Sequence, residues 1–229
     1  VPRAVPAAHA LDWFREAMHL WKCGPFAFSV LAVIVLVVNR VLVLIPTVGS
    51  LIAQIAIPII ACGLQYASLA ADRGDRPRVA HLFAVLSASP AAWIAVIGAD
   101  FVVFVVEIVI ASLVTDADFL DTLLDPSSVS AGVTLALVTG GIVLSLPFMF
   151  VPYAALFDRV SIRSAYAQSV AAFAQNLGPL LVYAAVSCVL VLFGLATYGV
   201  GLVLALPLLA ASAYAGWKDV FAVGGQREA

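Results

Sequence analysis

The chain alternates between long apolar runs and short polar breaks. Six runs, near 26–45, 49–71, 91–114, 131–157, 178–197 and 199–217, approach the ~20 residues that a helix needs to cross a bilayer. They predict an all-α membrane protein: six transmembrane helices in three hairpins. Pro58, Pro147, Pro152 and Pro207 fall inside runs. Each removes a helix hydrogen bond and predicts a kink.

The polar breaks carry a second pattern. Three times a short, more polar helical segment runs into a proline and then a hydrophobic hairpin, at WKCGPFAF, LSASPAAW and AQNLGPLLV. The second helix of each hairpin ends with a Tyr and then an Asp five or six residues on: Tyr66/Asp72, Tyr153/Asp158 and Tyr214/Asp219. We read three copies of interfacial helix, proline and hairpin. The first interfacial segment, 9–22, is the clearest. At 100° per residue Asp12, Arg15, Glu16, His19 and Lys22 share one arc, and Leu11, Trp13, Phe14, Ala17, Met18, Leu20 and Trp21 cover the rest. Such a helix is expected to lie at the membrane surface or to pack under the bundle. Segments 78–88 and 161–176 repeat the pattern more weakly. The expected organisation is an interfacial amphipathic helix over 1–24, a single six-helix transmembrane domain over 25–221, and a cytoplasmic tail over 222–229.

Composition narrows the class. The 229 residues are 64% hydrophobic and 10% charged, against about 25% charged in soluble domains. The opening VPRAVPAAHA lacks the basic and apolar regions of a signal peptide. Cys23, Cys62 and Cys188 show no C-x-x-C spacing and read as small hydrophobes. A net charge of −2 gives no case for nucleic acid. With the N-terminus inside and six spans, ten of the eleven Lys and Arg residues fall on the cytoplasmic side, and only Arg40 lies opposite. That bias predicts cytoplasmic termini.

LFDRVSIRSAYAQSVAAFAQNLGPLLVY, with a last span ending in YAGWKDVF, resembles a family of uncharacterised multi-spanning inner-membrane proteins of proteobacteria. The matching positions are Ala155, Leu156, Asp158, Ala165, Ser169, Asn176 and Pro179, then Tyr214, Trp217, Lys218, Asp219, Val220 and Phe221. The Trp13…Trp21…Pro25 run resembles that family's opening helix. More remotely, the layout is similar to membrane domains that accompany some glycerophosphodiester phosphodiesterases, whose metal-binding catalytic domain has no counterpart here. The resemblance implies six helices and a bacterial inner membrane, and it brings no activity.

Two acids interrupt the third run. Counted from its cytoplasmic edge at 1.5 Å per residue, Asp100 lies about 15 Å deep and Glu107 about 25 Å. Arg40 reaches about 21 Å by the same count, and Gln54 falls near that level. Arg40 and Glu107 are therefore expected to pair, with Asn39 and Gln54 as hydrogen-bond partners. This would be a clamp between spans; in the alternative, Arg40 snorkels outward. No basic residue matches the depth of Asp100. Ser145 and Ser187 are its candidate partners, and its two readings are a helix-bridging acid and a proton or cation relay.

Other motifs carry less. TDADFLDTLLDPSSVS holds Asp116, Asp118, Asp121 and Asp125 but lacks the Gly and Glu of an EF-hand, so it reads as a solvated loop. The histidines (9, 19, 81) show no metal spacing, and no hydrolase, metalloprotease or P-loop motif is present. Gly140-Gly141 reads as a close helix contact. The expected function is a non-enzymatic integral inner-membrane protein, an accessory, assembly or scaffold component that contacts membrane lipids and another integral membrane protein. No cofactor or metal is expected. The alternative is a small-solute or lipid transporter using Asp100. A cavity reaching Asp100 would favour transport, and a dry, ion-paired core would favour a partner protein.

Overall fold

In a computed structural model of the chain, residues 1–45, 48–114 and 131–223 are described here. They are all-helical. The elements are α1 (His9–Lys22), α2 (Pro25–Val43), α3 (Gly49–Asp72), a 3-10 segment (Val79–Ser87) and α4 (Pro90–Val114). There follow α5 (Ala131–Ser145), a 3-10 turn (Leu146–Phe148), α6 (Val151–Leu156), α7 (Ile162–Gln175), α8 (Leu177–Ala196) and α9 (Leu202–Val220). Five stretches are long and apolar enough to cross a membrane: Pro25–Val43, Gly49–Asp72, Pro90–Val109, Leu135–Leu156 and Leu177–Ala196. The acidic segment 115–130 lies outside the described residues.

The repeat junctions behave as proline chemistry requires. Pro25 and Pro90 open α2 and α4, and Pro179 is the third residue of α8. There the missing N–H is one that a helix start leaves unpaired anyway. The second junction is not α-helical before its proline. Val79–Ser87 winds as a 3-10 helix, entered through the Arg78 N–H donating to His81 Nδ1 at 2.9 Å.

The last helix is the centre of the fold. α9 packs on α1, α2, α3 and α8. Its second half is buried on every side: Leu208, Ala211, Ser212, Ala213, Tyr214, Ala215, Gly216 and Trp217. Small residues let neighbours close in. At Gly216 an added Cβ would stand 3.0 Å from the Trp13 ring. α9 is not among the five stretches apolar enough to cross a membrane. Its last turn carries Lys218 and Asp219.

α1 spans the predicted 9–22 and buries Ala10, Trp13, Ala17 and Leu20, one stripe at helical spacing. The stripe faces α9 and the start of α8, where Phe14 stacks on Tyr183 with ring centroids 5.4 Å apart. Burying Trp13 and Leu20 contributes roughly 3–6 kcal/mol at ~1.5–3 kcal/mol per large side chain. Packing under the bundle, rather than lying free at a surface, is therefore the arrangement of α1.

The fourth run differs from a kinked continuous helix. It stops at Ser145, passes through a 3-10 turn and restarts at Val151. Pro147 and Pro152 lie five residues apart, and the two lost N–H donors break the ladder instead of bending it. The exposed backbone is satisfied from α7: Ser169 Oγ donates to the Pro147 carbonyl at 2.7 Å and accepts from the Phe150 N–H at 3.2 Å. Phe150 and Ser169 are both fully buried. Among the described residues this hydroxyl bridges the break.

Candidate functional site

Two constellations concentrate the polar chemistry. The first lies at the α1 end of the bundle and collects most of the positions that carried the family resemblance. Asp219 ends α9 and is met by three donors from the N-terminal segment. Arg3 Nη2 approaches Oδ1 at 2.7 Å, while His9 Nδ1 and Trp13 Nε1 approach Oδ2 at 2.8 and 3.0 Å. Arg3 Nε also donates to the Asp219 carbonyl at 2.8 Å, and the Arg3 N–H to that of Val220 at 2.8 Å. Burial opposes ionisation of Asp219, but the hydrogen bonds from Trp13, His9 and Arg3 outweigh it and hold the carboxyl below its ordinary range.

One residue earlier, Lys218 bridges two elements. Its ammonium donates to Glu16 at 3.1 Å and to Asp72 at the end of α3. The Tyr214 hydroxyl donates to the other Asp72 oxygen at 2.9 Å. Burial works against the charge on Lys218; the bonds to Asp72 and Glu16 prevail and raise its pKa above the ordinary lysine value.

Asn176, between α7 and α8, is buried with its amide in use on both sides. Oδ1 accepts from the Val5 N–H at 2.8 Å, and Nδ2 donates to the Arg3 carbonyl at 3.0 Å and the Ala172 carbonyl at 2.9 Å. Pro179 is buried at the start of α8. Asp158 is exposed after α6; partial burial raises its carboxyl above the usual range, opposed by the Trp217 indole beside it. Tyr153, Phe157, Tyr214 and Trp217 form one aromatic cluster above this network, Tyr153 stacked on Trp217 at 5.7 Å. Lys218 and Asp219 thus hold the N-terminal segment and α1 onto α9, and Asn176 ties the same segment to the junction of α7 and α8. Ser169 holds the broken helix, as described above.

The second constellation surrounds Asp100. A cavity of about 210 Å³ opens between α3, α4 and the broken fourth run. Its lining includes Pro58, Gln65, Asp100, Ser145 and Pro152. Asp100 is exposed and makes no ion pair with any described residue. Gln65 Oε1 is buried with no hydrogen-bond partner among the described residues. Ser145 shares the cavity, though its hydroxyl donates to the Ile142 carbonyl at 2.8 Å. Ser187, the other serine expected near Asp100, is buried on α8 and does not line the cavity.

The expected cluster of Arg40, Asn39, Gln54 and Glu107 is not assembled. Arg40 and Asn39 are exposed, Gln54 is half-buried, and no ion pair among the described residues includes Arg40 or Glu107. α2 packs mainly on α3 and α9, whereas α4 packs on α3, α5, α6 and α7, so the two charges sit on helices whose main packing partners differ except for α3. Glu107 instead lies against Gly141 of α5, where a Cβ would fall 2.1 Å from its Oε1.

Sequence reasoning did not single out Gln65, nor Arg3, His9 and Trp13 as partners of Asp219. Gln65 had a readable signal, a polar residue seven positions after Pro58 on the same run. The Asp219 partners lie more than 200 positions away and had none. Among the described residues no group of His, Cys, Asp and Glu is arranged to hold a metal. The fold and these sites define a helical protein with several helices able to cross a membrane. No family model, curated protein or solved structure matches the chain.

Proposed function

We propose that this chain crosses the bacterial inner membrane six times, with both termini in the cytoplasm, and binds and moves a proton or small cation at Asp100. The five apolar crossings leave α9 as the return leg from α8, which brings the C-terminus to the side of the N-terminus. The bias of ten cationic residues to that side supports the orientation. The site has no catalytic role in this reading.

The observation that carries the transport reading is the cavity beside the broken fourth run. Asp100 lies about 15 Å from the start of α4. A charged residue at such depth costs ~2.5–3.5 kcal/mol even on the lenient insertion scale, and no ion pair among the described residues offsets it. Its neighbours are a helix with an internal proline, an interrupted helix and an amide oxygen with no hydrogen-bond partner among the described residues. Discontinuous helices around an intramembrane acid are the construction that carriers use for ion and solute sites.

The test is charge displacement across the reconstituted protein on a solid-supported membrane after jumps of pH and of Na⁺. The expected result is a transient from the wild type that Asp100→Asn abolishes while the apparent Tm is kept. A wild type silent to both jumps, or an Asp100→Asn variant that keeps the signal, would sink the reading.

The accessory or scaffold role, with membrane lipids and another integral membrane protein as partners, is the second reading. It rests on the outward apolar face of α2: Phe26, Val33, Val37, Val41 and Leu44. Lipid tails cover such a face equally well, which is why the cavity outranks it. A stoichiometric membrane protein recovered in mild detergent would reverse that order. The resemblance to uncharacterised proteobacterial inner-membrane proteins is compatible with both.

A further inference from the structure

A second cavity, of about 340 Å³, lies in the same seam between α3, α4 and α6, nearer the α1 end of the bundle. It is lined by Tyr66, Ser87, Ser89, Arg159 and the apolar Ala92, Ala155 and Leu156, among others. Its chemistry is opposite to that around Asp100, because no carboxylate among the described residues lines it.

The Ser87 hydroxyl already donates to the Ala84 carbonyl at 2.7 Å, which leaves Arg159, Tyr66 and Ser89 as the donors of the lining. Arg159 offers five N–H groups and makes no ion pair with any described residue. Arg159 and Tyr66 line the same cavity from different elements. Ser89 Oγ accepts from the Ala92 N–H at 3.2 Å, which directs its own proton elsewhere. Ser89 also precedes the first turn of α4, whose N–H groups add positive potential. The Arg159 backbone sits at φ 52°, a left-handed conformation that strains a non-glycine residue. The chain holds this strained residue where the sixth helix turns past the cavity.

Position narrows the ligand. Tyr66 lies six residues, about 9 Å, before the end of α3. Given the orientation proposed above, the cavity is at the headgroup level of the cytoplasmic leaflet, with alanine and leucine walls on the membrane side and donors on the water side. We propose that this cavity binds a phosphate group, presented either by an anionic phospholipid headgroup or by a soluble phosphate ester, with Arg159 as its anchor. The proposal does not depend on transport at Asp100.

The test compares Arg159→Gln with Arg163→Gln. Arg163 is exposed, nearby on α7 and not part of the lining, so its removal changes net charge alone. Binding of phosphatidylglycerol and phosphatidylcholine is measured by native mass spectrometry of the full chain, with glycerol 3-phosphate and inorganic phosphate as soluble competitors. Loss of a general surface charge weakens anionic lipid binding about fivefold, and loss of a charge-assisted phosphate contact about tenfold or more.

The expected result is phosphatidylglycerol binding weakened at least tenfold by Arg159→Gln and no more than fivefold by Arg163→Gln, with phosphatidylcholine, whose choline cation offsets its phosphate, bound more weakly by the wild type. Displacement of the lipid by glycerol 3-phosphate supports recognition of the headgroup alone. Binding of the soluble ester in place of the lipid also supports the site and assigns the source. Equal losses in the two variants, or neither probe bound by the wild type, would overturn it. If Arg159→Gln fails to fold, Tyr66→Phe with Ser89→Ala removes two donors and is read the same way.

Discussion

Ser169→Ala tests the reading of the broken fourth run most directly. The hydroxyl serves a carbonyl and an N–H that the break exposes, at Pro147 and Phe150, in a fully buried setting. Its removal leaves both without a partner, at ~1–3 kcal/mol for each buried group. Some relaxation of the turn is expected, so the cost is about 2–4 kcal/mol. For a chain of this size that lowers the apparent Tm by roughly 5–15 °C, at ~2–4 °C per kcal/mol. Ser68→Ala is the matched control. Ser68 is equally buried, but its hydroxyl donates to the Leu64 carbonyl inside intact α3, where that carbonyl keeps its helix partner. Its loss is expected to cost less than about 1 kcal/mol. The assay is thermal unfolding of the detergent-solubilised protein at a fixed scan rate, with both variants run beside the wild type. If Ser169→Ala is no more destabilising than Ser68→Ala, the hydroxyl does not hold the break and the account of this segment fails.

The α1 network makes three further predictions. Asp219 has a depressed folded-state pKa, so its contribution to stability is complete above the ordinary carboxylate value of about 3.9 and is lost as pH falls through the lower folded value. The wild type should therefore undock α1 in acid, while Asp219→Asn is already weakened at neutral pH and changes little on acidification; tryptophan fluorescence and proteolysis of the N-terminal segment report both. Lys218 has the opposite sign: its raised pKa keeps its contribution complete below about 10.4 and loses it only as pH rises through the folded value. Lys218→Met leaves Glu16 and Asp72 without their cation and should cost about 1–2 kcal/mol, below the 3–5 of a fully buried pair because all three groups keep contact with water. Adding Asp72→Asn should recover part of that loss in thermal unfolding, and a double variant as unstable as the sum of the two single variants would count against the bridge. Asn176→Ala, which removes both tethers to residues 3–5, should release the N-terminal segment to protease without lowering the helical circular dichroism by more than the segment itself.

Much of the fold was legible in the pattern of apolar residues, because the rules that make a helix are local. α1 and the starts of α2 and α4 follow from spacing and from where a proline can sit without losing a bond. The break at 145–151 was only half legible. Two prolines predicted bends, but whether a ladder bends or parts depends on whether another segment can satisfy the freed groups, and that segment, Ser169, lies on a later helix.

Depth along a helix can be counted from sequence; which helices are neighbours cannot. Arg40 and Glu107 were matched by depth and sit on helices whose main packing partners differ except for α3, whereas Asp219 and Trp13 meet across almost the whole chain. The sequence by itself determined that this chain is helical, rich in segments able to cross a membrane, and interrupted by an acid at Asp100 inside one of them. Tertiary structure decided the rest: that α9 is the buried centre, that Lys218 and Asp219 clamp α1, and that Asp100 borders a cavity. Helix formation is settled by hydrogen bonds four residues apart, while partner choice is settled by packing between segments far apart in the chain.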